Sequence, residues 1–104
     1  MKIVVVGTGA MGSVYAGLLA RAGHEVWAID RWTEHVDAIA DHGLRVSGAS
    51  GDVVVEGLHA GHTPADAGPA DLWVIATKAA DVASAASAIA PLLRPGDLVM
   101  AFQN

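Results

Sequence analysis

Cysteine is absent from the 104-residue chain, and basic residues are few. Without cysteine there is neither a disulfide framework nor a thiolate nucleophile. The chain has six lysines and arginines and eleven aspartates and glutamates, which gives a formal charge of −5. The clustered positive charge of a nucleic-acid-binding protein is therefore missing. The first apolar run ends in glycine at position 7 and is too short for a signal-peptide core or a membrane span. We therefore predict a globular, cytoplasmic protein that binds neither nucleic acid nor membrane.

A short apolar strand runs directly into a Gly-x-Gly-x-x-Gly motif at the start of the chain. Gly7 permits a tight turn off the strand, Gly9 lets the backbone approach phosphates, and Gly12 lets the following helix pack closely on the sheet. The N–H groups of a helix beginning near position 10 would then point at a bound anion. The alternative is a glycine turn without a ligand. We predict a pyrophosphate site whose members are Gly7, Thr8, Gly9, Ala10, Met11 and Gly12.

An acid follows the second predicted strand. The helix after the glycine motif is expected to end at Gly23 in a left-handed conformation, and an apolar strand then covers residues 25–29. Asp30 comes next, at the position where dinucleotide-binding folds contact the adenosine ribose. Strand, glycine motif, helix and acid together favour a dinucleotide site.

Hydrophobic periodicity predicts alternating strands and helices along the rest of the chain. The expected elements are a helix with its N-cap at Thr33, a hairpin of 44–47 and 53–56 with an extension at 58–59, a surface connection at 61–69, a buried strand at 71–76, a helix at 79–93 frayed by Pro91, and a buried strand at 98–102. This succession predicts an α/β fold, a Rossmann-like, doubly wound, mainly parallel sheet with helices on both faces. With 53% hydrophobic residues, the chain can form one dinucleotide-binding domain over residues 1–104.

Two polar residues follow predicted parallel strands. Lys78 comes after the strand at 71–76 and Asn104 after the strand at 98–102, so both lie at carboxyl ends of strands, where α/β sheets bind ligands. A solvated loop lysine and a turn asparagine are the alternatives. His59 and His62 have a metal-like spacing, but glycine and proline surround them and no third ligand is evident. We assign no metal site.

These segments resemble the N-terminal domain of ketopantoate reductases. The similar features are the glycine motif, Arg31 after the second strand, the Thr-Lys-Ala sequence around Lys78, and Gln103 with Asn104. The similarity covers the whole chain, and the lysine and the Gln-Asn pair are more specific than the glycines. The resemblance implies reduction of 2-dehydropantoate to pantoate with NADPH, a step of pantothenate synthesis. It also implies that the motif binds the pyrophosphate, Arg31 the 2′-phosphate, Lys78 the nicotinamide side, and Asn104 the ribose and the substrate.

The opposite charges of Asp30 and Arg31 are compatible with either NADP or NAD as the cofactor. Asp30 can accept both ribose hydroxyls of NAD and would repel a 2′-phosphate, whereas Arg31 would attract that phosphate. The resemblance favours NADPH.

Hydride transfer to a 2-keto carbon also requires a proton donor. Asn104 can position a substrate but cannot donate that proton at neutral pH. The resemblance implies a catalytic lysine in a separate helical domain, which would also provide most of the substrate pocket and a surface for homodimerisation. We therefore predict that the chain is a fragment and that it contains no catalytic acid of its own.

The sequence is also compatible with two further functions. One is an NAD(P)-dependent reductase or dehydrogenase of another 2-keto or 3-hydroxy acid. The other is a regulatory domain that senses nucleotides without turnover, since the same fold and glycine loop serve that purpose.

Overall fold

Strands and helices alternate through the residues that the computed structural model describes, 1–48 and 51–102. The elements in chain order are β1 (Lys2–Val6), α1 (Ala10–Arg21), β2 (Glu25–Ile29), α2 (Thr33–His42), β3 (Leu44–Gly48), β4 (Gly51–Val55), β5 (His59–Gly61), α3 (Pro64–Ala67), β6 (Leu72–Ile75), α4 (Val82–Ile89) and β7 (Leu98–Ala101). Short 3₁₀ turns at Ala79–Asp81 and Ala90–Leu92 flank α4.

Five of these strands form one parallel sheet in the order β5-β2-β1-β6-β7. The chain therefore winds outward from β1 in both directions, and the predicted doubly wound α/β fold is confirmed. The remaining two strands, β3 and β4, pair antiparallel as the predicted hairpin.

Side chains alternate between the two faces of β1 and build a core on each. Val4 and Val6 pack with Trp73 and with residues of α3 and α4. Ile3 and Val5 point the other way and pack with residues of α1 and α2. The sheet is thus covered by helices on both faces. None of the helices in the described part of the chain is long and apolar enough to cross a membrane.

The local signals at the chain's start are confirmed. Helix α1 begins at Ala10, and Gly23, just beyond its end, has a φ of +98°.

Two later helix ends were also predicted. Pro91 lies in the 3₁₀ turn that follows α4, in agreement with the predicted fraying of that helix. The N-cap of α2 is Trp32, one residue before the predicted Thr33.

Two predictions about the second half are wrong. The segment 61–69 is not simply a surface connection, because it contains α3, whose first turn is held by a reciprocal capping box between Thr63 and Asp66. The strand preceding it, β5, pairs with β2 and does not extend the hairpin.

The expected burial of the last strand is also wrong. Leu98, Val99 and Met100 are 58%, 44% and 45% exposed. The reason is that β7 is the edge of the five-stranded sheet and, within the described residues, pairs only with β6.

Candidate functional site

A cleft of about 490 Å³ opens at the carboxyl edge of the parallel sheet. Its walls are the turn after β1, the residues following β2 and β5, the residues following β6, and one face of α4. This is the edge at which open α/β sheets bind ligands, because the strand order reverses there.

The glycine turn forms the floor of this cleft, and its three glycines meet different constraints. Gly7 has a φ of +97°, and its N–H donates to the carbonyl of Ile29 at 2.8 Å, so the turn is tied to β2. A Cβ on Gly12 would lie 1.8 Å from the carbonyl oxygen of Gly7, which means that only glycine allows α1 to pack this closely. A Cβ on Gly9 would meet no atom within 4 Å, because this residue faces the open cleft.

The first turn of α1 is arranged to receive an anion. Gly9 is the N-cap and provides no side chain to bond the free N–H groups, and no acid lies in the first turn. The first N–H groups of α1, which have no partner within the helix, and the positive end of the helix dipole therefore lie at its Gly9 end, and Gly9 lines the cleft.

Asp30 braces the glycine turn from β2. Its Oδ2 accepts hydrogen bonds from both the N–H and the Oγ1 of Thr8, each at 2.8 Å, and its Oδ1 accepts the N–H of Trp32 at 3.0 Å. Partial burial acts to raise the pKa of Asp30, but the hydrogen bonds from Trp32 and Thr8 and the nearby His35 outweigh burial and hold this pKa below its ordinary value. Asp30 is therefore a carboxylate at neutral pH.

Thr8 is buried beneath this network and is connected to three elements. Besides its bonds to Asp30, its carbonyl accepts the Oγ–H of Ser13 at 2.9 Å and lies 3.0 Å from Nε2 of His35. The turn is thereby fixed to β2, α1 and α2 together.

Two cationic side chains lie at the cleft. Arg31 follows Asp30 after the end of β2, and its Nη2 lies 3.3 Å from Oδ1 of Asp81, which precedes α4. Lys78 follows β6 and is exposed at the same cleft. An anionic ligand bound at the glycine turn would therefore share the cleft with the positive charges of Arg31 and Lys78.

The structure brings together at the cleft five of the ten predicted site residues. Gly7, Gly9, Asp30, Arg31 and Lys78 all line the cleft. The other members of the motif lie behind it: Thr8 and Gly12 are buried, Met11 is half-buried, and Ala10 begins α1. Asn104 lies outside the described residues, so its predicted role stays a prediction.

Sequence reasoning missed two parts of the cleft wall. One is His62, Thr63 and Pro64, which follow β5. The other is Asp81, the N-cap of α4, together with Ser84, Ala85 and Ala88 on one face of that helix. The second group carried a signal, because three- and four-residue spacing places these side chains on one helical face. The first carried none, because its position depends on the pairing of β5 with β2.

The two histidines with metal-like spacing point to different surroundings. His59 stacks on Trp27 with ring centroids 4.8 Å apart, whereas His62 lines the cleft.

Comparisons with known proteins agree with this geometry. Residues 3–104 match the family model described as ketopantoate reductase PanE/ApbA. The crystal structure of a PanE/ApbA family ketopantoate reductase from Ralstonia eutropha is 43% identical and superimposes on the whole chain and on 34% of its own length with a TM-score of 0.89. A 2-dehydropantoate 2-reductase from Pyrococcus abyssi is 36% identical over the whole chain and over 33% of its own length.

A second kind of enzyme is also similar in fold. The ternary structure of a D-mandelate dehydrogenase with NADH and anilino(oxo)acetate is 32% identical, covering the whole chain and 34% of that protein, with a TM-score of 0.87. The chain thus spans about a third of the length of the proteins it matches. Since the family model matches nearly every residue, the chain belongs to the ketopantoate reductase PanE/ApbA family.

Proposed function

We propose that the chain is the dinucleotide-binding domain of an NADPH-dependent 2-dehydropantoate 2-reductase. The observation that carries the proposal is the cleft itself, where the glycine turn, Arg31 and Lys78 come together at the carboxyl edge of the sheet. Membership of the family and the name of the Pyrococcus relative support the substrate.

The open space above Gly9 fits the pyrophosphate of such a cofactor. No atom lies within 4 Å of the position that a Cβ on Gly9 would take, and Gly9 is the N-cap of α1. Backbone N–H groups at a helix N-terminus are well suited to bind phosphate. In the proposal, residues 7–12 hold the pyrophosphate, Arg31 holds the 2′-phosphate, and Lys78 contacts the nicotinamide side.

When bound, the reduced nicotinamide supplies the hydride that reduces the 2-keto carbon of the substrate. The residues of this chain orient the cofactor, and Asn104 is proposed to position the ribose and the substrate. A proton donor is needed for the developing alkoxide. We assign that group, most of the substrate pocket and a homodimer contact to further residues of a larger cytoplasmic enzyme, which would make pantoate for pantothenate synthesis.

Oxidation of NADPH by the intact protein in the presence of 2-dehydropantoate tests this proposal. The expected result is turnover that depends on the keto acid and that falls, at sub-saturating NADPH, when Lys78 is replaced by methionine. A protein that binds NADPH but turns over no 2-keto acid would contradict the reductase assignment and favour a nucleotide-sensing domain.

One observation favours a second candidate, an NADH-dependent dehydrogenase of another 2-hydroxy acid. Two acids, Asp30 and Asp81, lie beside Arg31, and their charge disfavours a 2′-phosphate. The similarity to a D-mandelate dehydrogenase described with NADH supports this alternative. Comparing 2-dehydropantoate with an aromatic 2-keto acid, each with NADH and NADPH, separates the two candidates.

A further inference from the structure

An ion pair joins the two walls of the cleft at its adenosine side. Arg31 extends from the end of β2, and Asp81 extends from the turn before α4, with Nη2 and Oδ1 3.3 Å apart. Both side chains line the cleft. The pair therefore lies beside Asp30, the residue whose position corresponds to the ribose contact of dinucleotide-binding folds.

Folding does not account for this pair. Asp81 is the N-cap of α4, but its side chain makes no capping hydrogen bond. The turn is held by backbone atoms: the N–H of Asp81 donates to the carbonyl of Lys78 at 2.9 Å, and the carbonyl of Asp81 accepts the hydroxyl of Ser84 at 3.0 Å. The Arg31 side chain is 80% exposed, and ion pairs this exposed contribute little to stability.

The pair has a direct consequence for the charge that Arg31 presents to a ligand. Asp81 neutralises the guanidinium from one side, and the carboxylate of Asp30 is fixed in the neighbouring residue by its bonds to Thr8 and Trp32. A 2′-phosphate would have to displace Asp81 from Arg31 or remain close to it. A 2′-hydroxyl has no net charge and can donate a hydrogen bond to a carboxylate, so neither acid opposes it.

We propose that Asp81 determines cofactor selectivity by competing with the 2′-phosphate for Arg31. This inference rests on the proposed function, because it assumes that a dinucleotide occupies the cleft. In the wild-type protein this competition weakens NADPH binding. The difference in affinity between NADPH and NADH is therefore small, and NADH is also accepted.

Replacing the acid with a neutral side chain tests the proposal. Asp81→Asn and Asp81→Ser are made in the intact protein, and the Kd for NADPH and for NADH is measured by fluorescence titration. Asp41→Asn is the matched control, because it removes the same charge near the end of α2, away from the cleft. A second pair of variants, Arg31→Ala and Arg31→Ala with Asp81→Asn, asks whether the effect passes through Arg31.

Loss of the competing charge is expected to tighten NADPH binding about fivefold, while NADH binding changes by less than about twofold. Asp41→Asn should leave both affinities unchanged, and most of the gain should vanish in the Arg31→Ala background. Equal changes for the two cofactors, or no change in either, would overturn the role of Asp81 while leaving the cofactor site intact. Failure of the wild-type protein to bind either dinucleotide would instead overturn the proposed function and this inference with it.

Discussion

Replacing Gly9 with alanine should weaken dinucleotide binding by at least about tenfold without unfolding the protein. Gly9 has a φ of −67° and a ψ of −165°, a conformation open to any residue, and its added Cβ would meet no protein atom within 4 Å. The methyl group would project about 1.5 Å into the space that the pyrophosphate is proposed to fill. The substitution therefore tests whether glycine is needed at position 9 for ligand binding, because the fold itself does not need it there.

The expected magnitudes follow from the contacts at stake. A phosphate displaced by about 1 Å from a 2.9 Å contact no longer forms a hydrogen bond with the N–H groups of the turn. Losing one charge-assisted bond costs about 1.5–3 kcal/mol, which corresponds to about a 10- to 150-fold rise in Kd. The free energy of unfolding should change by less than about 1 kcal/mol, because the lower chain entropy of alanine offsets its poorer N-capping.

Fluorescence titration with NADPH and NADH gives the affinities, and urea denaturation of the same samples gives the stability. Gly57→Ala is a useful contrast, because Gly57 lies outside the cleft at a φ of +85° and its replacement should affect stability alone. A Gly9→Ala protein that is folded and binds both dinucleotides with wild-type affinity would refute the reasoning.

The remaining predictions concern the same edge of the sheet. Gly12→Ala should destabilise the protein by more than about 2 kcal/mol in urea denaturation, because its Cβ would lie 1.8 Å from the carbonyl oxygen of Gly7; wild-type stability would contradict the packing argument. Because its bonds hold the pKa of Asp30 in the folded state below the unfolded value, Asp30 should stabilise the fold above about pH 4 and lose this effect as the pH falls through the folded pKa. Thermal melts between neutral pH and the folded-state pKa of Asp30 should show that the melting temperature falls less on acidification in Asp30→Asn than in the wild type. Equal falls in melting temperature would argue against this role of Asp30. Lys78→Met should raise the Kd for either dinucleotide about tenfold, as one lost charge-assisted contact implies, whereas Arg21→Met, a change outside the cleft, should not; equal affinities in both variants would exclude a role for Lys78.

The first half of the fold could be predicted because its signals are local. The first strand, the glycine motif, the helix and Gly23 each depend on neighbours within a few residues, and all lie where the pattern indicates. The periodicity of the sequence also gave the parallel sheet, since strands alternating with helices allow few arrangements.

What could not be predicted depends on contacts between distant segments. Residues 58–59 were predicted to extend the hairpin, but the strand that begins at His59 pairs with β2, a contact with a segment about thirty residues away in the chain. The bonds from Thr8 to Asp30 and the pair of Arg31 with Asp81 likewise join residues far apart in the chain. The sequence therefore predicted which charged residues lie at the site, but it did not predict that Asp81 pairs with Arg31.

The exposed edge strand β7 has a consequence for handling these residues by themselves. Along Leu98–Ala101 its outer side pairs with no other strand among the residues that the structure describes, its side chains are apolar, and no charged residue interrupts the strand. Such an edge is a template for pairing with another strand, including β7 of a second copy. A preparation of residues 1–104 alone is therefore expected to aggregate as its concentration rises, and a lysine in place of Val99 should suppress that aggregation.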